Sequence, residues 1–399
     1  MSSDLTSWLL THYGQEQFHP GLERIKQAIF PLIAKLQTSK IITIAGTNGK
    51  GETTLRLSQK LGHRTQCVWT SPHIQRITER FRDENGEISL TKLESLINRC
   101  HQVVIDSGFK LSYYEFLFFV FCTWAHEKAP DFLLLEVGLG GRLDAVNVLD
   151  ADCVLLPSIS RDHQEFLGHR YDQILAEKLG TVRSGKILFT GLDRVYLREK
   201  TSHSMASRGA KVIHLQELKP LPAYDFSARN ELLSHAAFLF LTGSAVEVLN
   251  RPETYAQWTP EGQFLEHRGE VWPERGEWTF FGSHNPDGMR KLIQFLHSGN
   301  YNFHRPPFDT VFVAFSQRAP VDLKVMLKML KASELGKVVV TYFDHPKAAP
   351  LALIEDLSRQ EGLDFVKDIG PQVQGSNNNR FLVTGSYYFL GYFQSRFRS

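Results

Sequence analysis

Short apolar runs rich in β-branched residues alternate with longer amphipathic stretches through the first half of the chain. The runs at 41–44, 132–137, 153–156 and 187–190 are bounded by Gly, Pro, Asp or Ser, the pattern of parallel strands buried on both faces. Between them, 93–107, 114–127 and 171–179 carry apolar residues at helical spacing. This alternation predicts an α/β domain around a mostly parallel sheet. The pattern lapses at Asn250-Arg251-Pro252-Glu253-Thr254-Tyr255, after an apolar helix-like segment at 235–241. A second set then begins, with strands expected at 311–315, 337–342 and 381–384 and helices at 288–296, 321–331 and 351–360. The prediction is two domains, 1–252 and a smaller Rossmann-like α/β domain at 259–399. The run Gln374-Gly375-Ser376-Asn377-Asn378-Asn379 reads as a solvated loop, and there is no internal repeat.

Composition narrows the class. A length of 399 residues exceeds what one hydrophobic core accommodates. The net charge of +2 and the lack of a Lys/Arg block give no support for nucleic-acid binding. Cys67, Cys100, Cys122 and Cys153 have no paired short spacing, which argues against a zinc site or a disulfide framework and points to a reducing, cytoplasmic setting. The N-terminal segment has no basic region followed by an apolar one, so no secretory signal is expected. The most apolar stretch, 116–125, is about half of the ~20 residues a membrane span needs, and is expected to be a buried helix.

Three clusters carry candidate chemistry. Ala45-Gly46-Thr47-Asn48-Gly49-Lys50-Gly51-Glu52-Thr53-Thr54 follows the first strand. A strand entering a glycine-rich turn that opens a helix lets backbone N–H groups and a lysine cradle a phosphate chain. The generic phosphate-loop spacing is not met, because Ile44 stands at the first glycine and Gly51 at the hydroxyl. A glycine turn with a surface lysine is the other reading. In the second cluster, Glu136-Val137-Gly138-Leu139-Gly140-Gly141-Arg142-Leu143-Asp144, a carboxylate ends a buried strand at the edge where open α/β sheets bind ligands. Glu136 is placed there to hold Mg²⁺, or else to cap a turn as a buried acid. The third, Ser158-Ile159-Ser160-Arg161-Asp162-His163 with Leu167-Gly168 and then Glu177-Lys178-Leu179-Gly180, reads alone as structural pairs and a solvated helix face.

Taken together these motifs resemble the folylpolyglutamate synthase and dihydrofolate synthase enzymes, folate-specific relatives of the Mur ligases. Gly46 to Gly51 are joined in order by Thr70-Ser71-Pro72-His73, Glu79-Arg80, Glu136 to Asp144, Asp162-His163, Glu177-Lys178 and His284-Asn285-Pro286. The resemblance implies a Mur ligase-like fold and an ATP-driven ligation. A substrate carboxylate takes the γ-phosphate to give an acyl phosphate, and the amine of L-glutamate converts it to an amide. It further implies that Gly46, Thr47, Asn48, Gly49, Lys50, Gly51, Glu52 and Thr53 hold the nucleotide, with Asn230, Gln263 and His284 approaching it. Two Mg²⁺ ions would be held by Glu136, His163 and a carbamylated Lys178, with Glu52 as a further candidate. Ser71, Pro72, His73, Arg142 and Asp144 would contact a folate or dihydropteroate. Catalysis would fall to Lys50, Glu136, His163 and Lys178, in a monomer.

The chain departs from this pattern at three places. Glu52 replaces the magnesium-binding serine, Gln263 an arginine near the phosphates, and Phe281 an aspartate near the ribose. Either Glu52 binds Mg²⁺ directly and Asp287 or another group replaces the ribose contact, or the chain is a folate-binding relative with weak or no ATP-driven ligation. A plain ATPase or small-molecule kinase is the alternative from another class.

Overall fold

The computed structural model describes residues 2–16, 19–260, 271–272, 277–299, 308–373 and 379–397. The chain divides into two compact units. The first comprises Met1–Leu221 with Ser227–Pro260, and the second Pro222–Phe226 with Glu261–Ser399.

The first unit is built on β1 (Lys40–Ile44), β2 (Gln66–Trp69), β3 (Phe81–Asp83), β4 (Gly86–Glu87), β5 (Phe132–Glu136), β6 (Cys153–Leu156), β7 (Ile187–Thr190) and β8 (Lys211–His214). Their order is β4-β3-β2-β5-β1-β6-β7-β8. All pairings are parallel except those of β3 with β2 and β4. Alternate residues feed opposite layers. Ile41, Leu133 and Leu135 join one core with the helix Tyr113–Lys128, while Ile42, Ile44 and Leu134 join another with Leu57, Leu61, Leu232 and Leu233. A sheet covered on both faces explains why its strands read as unbroken apolar runs.

Local signals set the helix boundaries. Ser112 and Glu115 form a capping box that starts the Tyr113–Lys128 helix. Ser89 caps Leu90–Ser107, and Gly108, in the left-handed region, ends it. The apolar segment expected at 235–241 is the last part of a longer helix, Phe226–Leu241.

The second unit has β9 (Val271–Trp272), β10 (Glu277–Phe281), β11 (Thr310–Val313), β12 (Lys337–Thr341), β13 (Asp364–Val366) and β14 (Arg380–Thr384), ordered β13-β12-β11-β14-β10-β9. Only β9 runs antiparallel. It is thus a second α/β sheet, with helices Pro286–Ser298, Pro320–Lys331 and Leu351–Glu361 between strands.

Candidate active site

Three neighbouring strands deliver the candidate groups to one edge of the first sheet. β1 lies between β5 and β6, with Ile44 in register with both Glu136 and Leu155. The chain after β1 and the chain after β6 are then stitched together. Thr47 N–H donates to the Ser158 carbonyl at 2.9 Å, Asn48 N–H to Ser158 Oγ at 3.0 Å, and Ser160 N–H to Thr47 Oγ1 at 3.0 Å. Gly46 packs so closely on Pro157 that a Cβ would lie 3.0 Å from its Cγ.

Gly49, at φ 89°, turns the chain into the helix Lys50–Leu61. The N-cap Gly49 has no side chain to cap that helix, and a helix N-terminus is of the kind that binds an anion. Lys50 Nζ donates to the Thr47 carbonyl at 3.1 Å, which folds the ammonium back over the loop.

Glu136 is buried at the end of β5, and its Oε2 accepts the Ser71 N–H at 3.1 Å. The loop that follows passes against Lys178: a Cβ on Gly141 would lie 3.0 Å from Lys178 Cα, and Lys178 Nζ donates to the Gly140 carbonyl at 3.3 Å. Lys178 is buried, and that burial, with the nearby Lys50 charge, pushes its ammonium down to about 7. His163 is about half exposed, at φ 48°, with ring nitrogens 3.8 Å from carboxylate oxygens of Asp162 and Glu165. Among the described residues no three His, Cys, Asp or Glu side chains form a ready cation cage. Glu136 and His163 carry carboxylate and imidazole groups of the kinds that divalent ions take.

The segment 70–76 is shaped from within. The Glu79 carboxylate accepts the N–H groups of Ile74, Gln75 and Arg76 at 2.7, 3.0 and 2.8 Å. Arg80, fully buried, is gripped by both oxygens of Glu16 and donates from Nε to His73 Nδ1 at 2.8 Å. A guanidinium cannot accept, so Nδ1 is the unprotonated nitrogen and the ring proton sits on Nε2. Neither Glu16 nor the Glu79 clamp was foreseen from sequence. The only signal for them was the Glu79-Arg80 pair itself.

Other candidates have different surroundings. Asp144, expected to contact substrate, braces the glycine run: it accepts the N–H groups of Leu139 and Val146 at 2.9 and 3.1 Å and the Tyr114 hydroxyl at 3.2 Å. Burial raises its carboxyl to about 6. Arg142 is exposed and paired with Glu177 at 2.9 Å. Ser71 and Pro72 are joined by a cis bond. Glu52 points both oxygens at protein donors, Arg56, Ser227 and Asn230. Thr53 Oγ1 donates to the Gly49 carbonyl at 2.8 Å.

Within the second unit, Phe281 is a buried core residue 6.2 Å from the Phe295 ring. His284 Nδ1 lies 3.0 Å from the Gly282 carbonyl. Asp287, considered as a replacement ribose contact, pairs with Arg290 and Lys291 at 3.3 and 3.2 Å. Gln263 lies outside the described residues.

No protein-family model matches the chain. A dihydrofolate synthase/folylpolyglutamate synthase of Bacillus subtilis is 26% identical over 439 aligned residues, covering 99% of both chains. One of Escherichia coli is 35% identical over 203 residues, 48% of this chain and 46% of that protein. The chain therefore spans about half the length of that second relative. A solved bifunctional folylpolyglutamate synthase/dihydrofolate synthase with Mn, AMPPNP and L-glutamate bound shares the fold at TM-score 0.77 and 23% identity, over 99% of this chain and 98% of that one. No helix among the described residues is long and apolar enough to cross a membrane.

Proposed function

We propose, for a chain similar from end to end to a dihydrofolate synthase/folylpolyglutamate synthase, an ATP-dependent ligase that joins L-glutamate to the carboxylate of a folate or dihydropteroate. The observation that carries this reading is the hydrogen bond from Ser71 N–H to Glu136. It ties the acid at the end of β5 to the Ser-Pro-His segment, so a group suited to a metal and a segment suited to a folate share one place.

Carboxylate and amine do not condense in water without an activated leaving group. The substrate carboxylate oxygen attacks the γ-phosphorus of ATP, ADP leaves, and the acyl phosphate carries the leaving group. The glutamate nitrogen then attacks the acyl carbon, the C–O bond to phosphate breaks, and the amine proton is lost to give the amide. Lys50, at the loop's helix, offsets the phosphate charge. The bare start of that helix adds N–H donors. Arg80 holds His73 with its Nε2–H as a donor for an acceptor on the substrate.

A divalent ion, when bound, acts as a Lewis acid on the phosphate oxygens, and Glu136, His163 and carbamylated Lys178 are its proposed holders. Carbamylation needs the neutral amine: nitrogen attacks CO₂, a proton leaves, and a cation becomes an anion. A lysine held near 7 supplies that amine at neutral pH. The remaining nucleotide and substrate assignments, among them Asn230, His284, Arg142 and Asp144, stand as proposals of the same reading.

Phosphate release with ATP, Mg²⁺ and glutamate tests the reading, with dihydropteroate and tetrahydrofolate compared as acceptors. Release that requires both an acceptor and glutamate is expected. Release independent of both would identify a plain ATPase, and folate binding without release would identify a non-ligating relative.

A further inference from the structure

Glu52 stands two residues after Lys50, where the resemblance expects a hydroxyl on the metal ion. Its carboxylate is 4% exposed. Oε1 accepts Arg56 Nε at 3.0 Å and Ser227 Oγ at 2.8 Å, and Oε2 accepts Asn230 Nδ2 at 2.8 Å. Arg56 continues to Glu231 at 3.0 Å and to Ser227 at 2.9 Å, and Lys60 Nζ lies 3.8 Å from the other Glu231 oxygen. Two cations and two anions thus balance in a buried patch between the helices Lys50–Leu61 and Phe226–Leu241.

We propose that Glu52 is a positioning residue for the nucleotide loop and not a metal ligand. The proposal rests on the nucleotide reading above. A carboxylate only accepts hydrogen bonds, so it fixes the Asn230 amide with Nδ2 toward itself. The amide is then pressed on Gly49, where a Cβ would lie 2.5 Å from Asn230 Oδ1 and 2.8 Å from Nδ2. Gly49 is the left-handed residue at which the loop enters its helix. Glu52 therefore holds, through Asn230, the turn that aims the helix start.

Ser234 Oγ strengthens the same seam, donating to the Thr53 and Asn230 carbonyls, both at 2.9 Å. To ligate an ion through Oε2, Glu52 would have to give up the Asn230 amide that the loop packs on, and through Oε1 the Arg56 guanidinium, which would be left in a buried site without that partner. Breaking a buried pair in that way is strongly unfavourable.

The test uses the full chain and its Glu52→Gln, Asn230→Ala and doubly substituted variants. Mn²⁺ affinity of the ADP complex is read by electron paramagnetic resonance, and ADP affinity without metal by calorimetry. In Glu52→Gln, Mn²⁺ affinity should stay within about twofold of the parent, while metal-free ADP affinity falls about tenfold, the loss of one good hydrogen bond. Asn230→Ala should lose a similar factor, and the double variant no more than either single one. Loss of Mn²⁺ affinity with metal-free ADP affinity intact would make Glu52 a ligand and overturn the proposal. So would unchanged affinities for both, which would leave the patch structural only.

If the parent chain binds no ADP, the ligase reading has failed. The brace is then judged by thermal unfolding of Glu52→Gln, Arg56→Gln and their combination. Non-additive losses support it, and strictly additive ones overturn it.

Discussion

Two sets of buried charge involve residues of the helix Lys50–Leu61, and they are balanced differently. At Glu52, Arg56, Lys60 and Glu231 every charge has an opposite within 3.8 Å. At Lys178 a buried ammonium makes no ion pair among the described residues and donates to a carbonyl; its burial and the like charge of Lys50 outweigh the attraction of Asp162, Asp144 and Glu177. A balanced patch stabilises the fold and acts on a ligand only through the loop it positions. An unbalanced one is held at a cost to stability, and an arriving polyphosphate or CO₂ can relieve it. Both sets are composed of lysine, arginine and glutamate, so what separates binding chemistry from scaffolding is the pairing and not the residue type.

That contrast can be broken most forcefully at Arg56. Arg56→Ala removes the guanidinium that pairs with both Glu52 and Glu231, and unfolding by urea should register a loss of about 3–5 kcal/mol. The substitution Lys178→Met should do the opposite to stability. Burial lowers the folded-state value of Lys178 to about 7, below its unfolded value. Between pH 7 and about 10.5 the unfolded chain therefore binds the extra proton, and parent stability climbs as pH rises through that window. In metal-free, CO₂-depleted buffer the methionine variant should flatten that climb and gain on the order of 2 kcal/mol at neutral pH, even as phosphate release is lost. If Lys178→Met were destabilising at every pH, the two patches would not differ as described.

The smallest effect expected is at Arg80. Arg80→Lys removes the fork that engages Glu16 and His73 together. The KM for the folate-type acceptor should rise about tenfold with kcat little changed, and ¹⁵N spectra should show His73 leaving the single Nε2–H tautomer.

The sequence reveals most where a signal is local and repeated. The helix at 171–179 was read with the bounds it has, and strand 41–44 misses only Lys40. The two-sheet α/β class follows from buried parallel strands whose apolar runs need no alternation. Gln66–Trp69 escaped notice because it begins with glutamine and has only four residues, although it pairs along β5. Helices Glu23–Leu36 and Val195–Ala206 were also missed, the first interrupted by Pro31 and the second weakly patterned. At the site, Lys50 and Glu136 stand out because glycines flank or follow them, while the Glu177-Lys178 pair read alone as a solvated helix face and Lys178 was singled out only through the resemblance. The distant partners of Glu52 were not legible: Ser227 and Asn230 lie 175 and 178 positions further along, and no local pattern announces a contact at that separation. A separation of 64 positions likewise hid Glu16 from Arg80.

Those separations also bear on the order of events during synthesis. The glycine loop leaves the ribosome before its closing contacts, which come from residues 113 positions later at Ser160 and 178 positions later at Asn230. At about 5–20 residues per second, the loop spends many seconds without the segments that shape it. A nascent chain truncated before residue 230 would carry the whole glycine motif without the Asn230 amide that packs on Gly49.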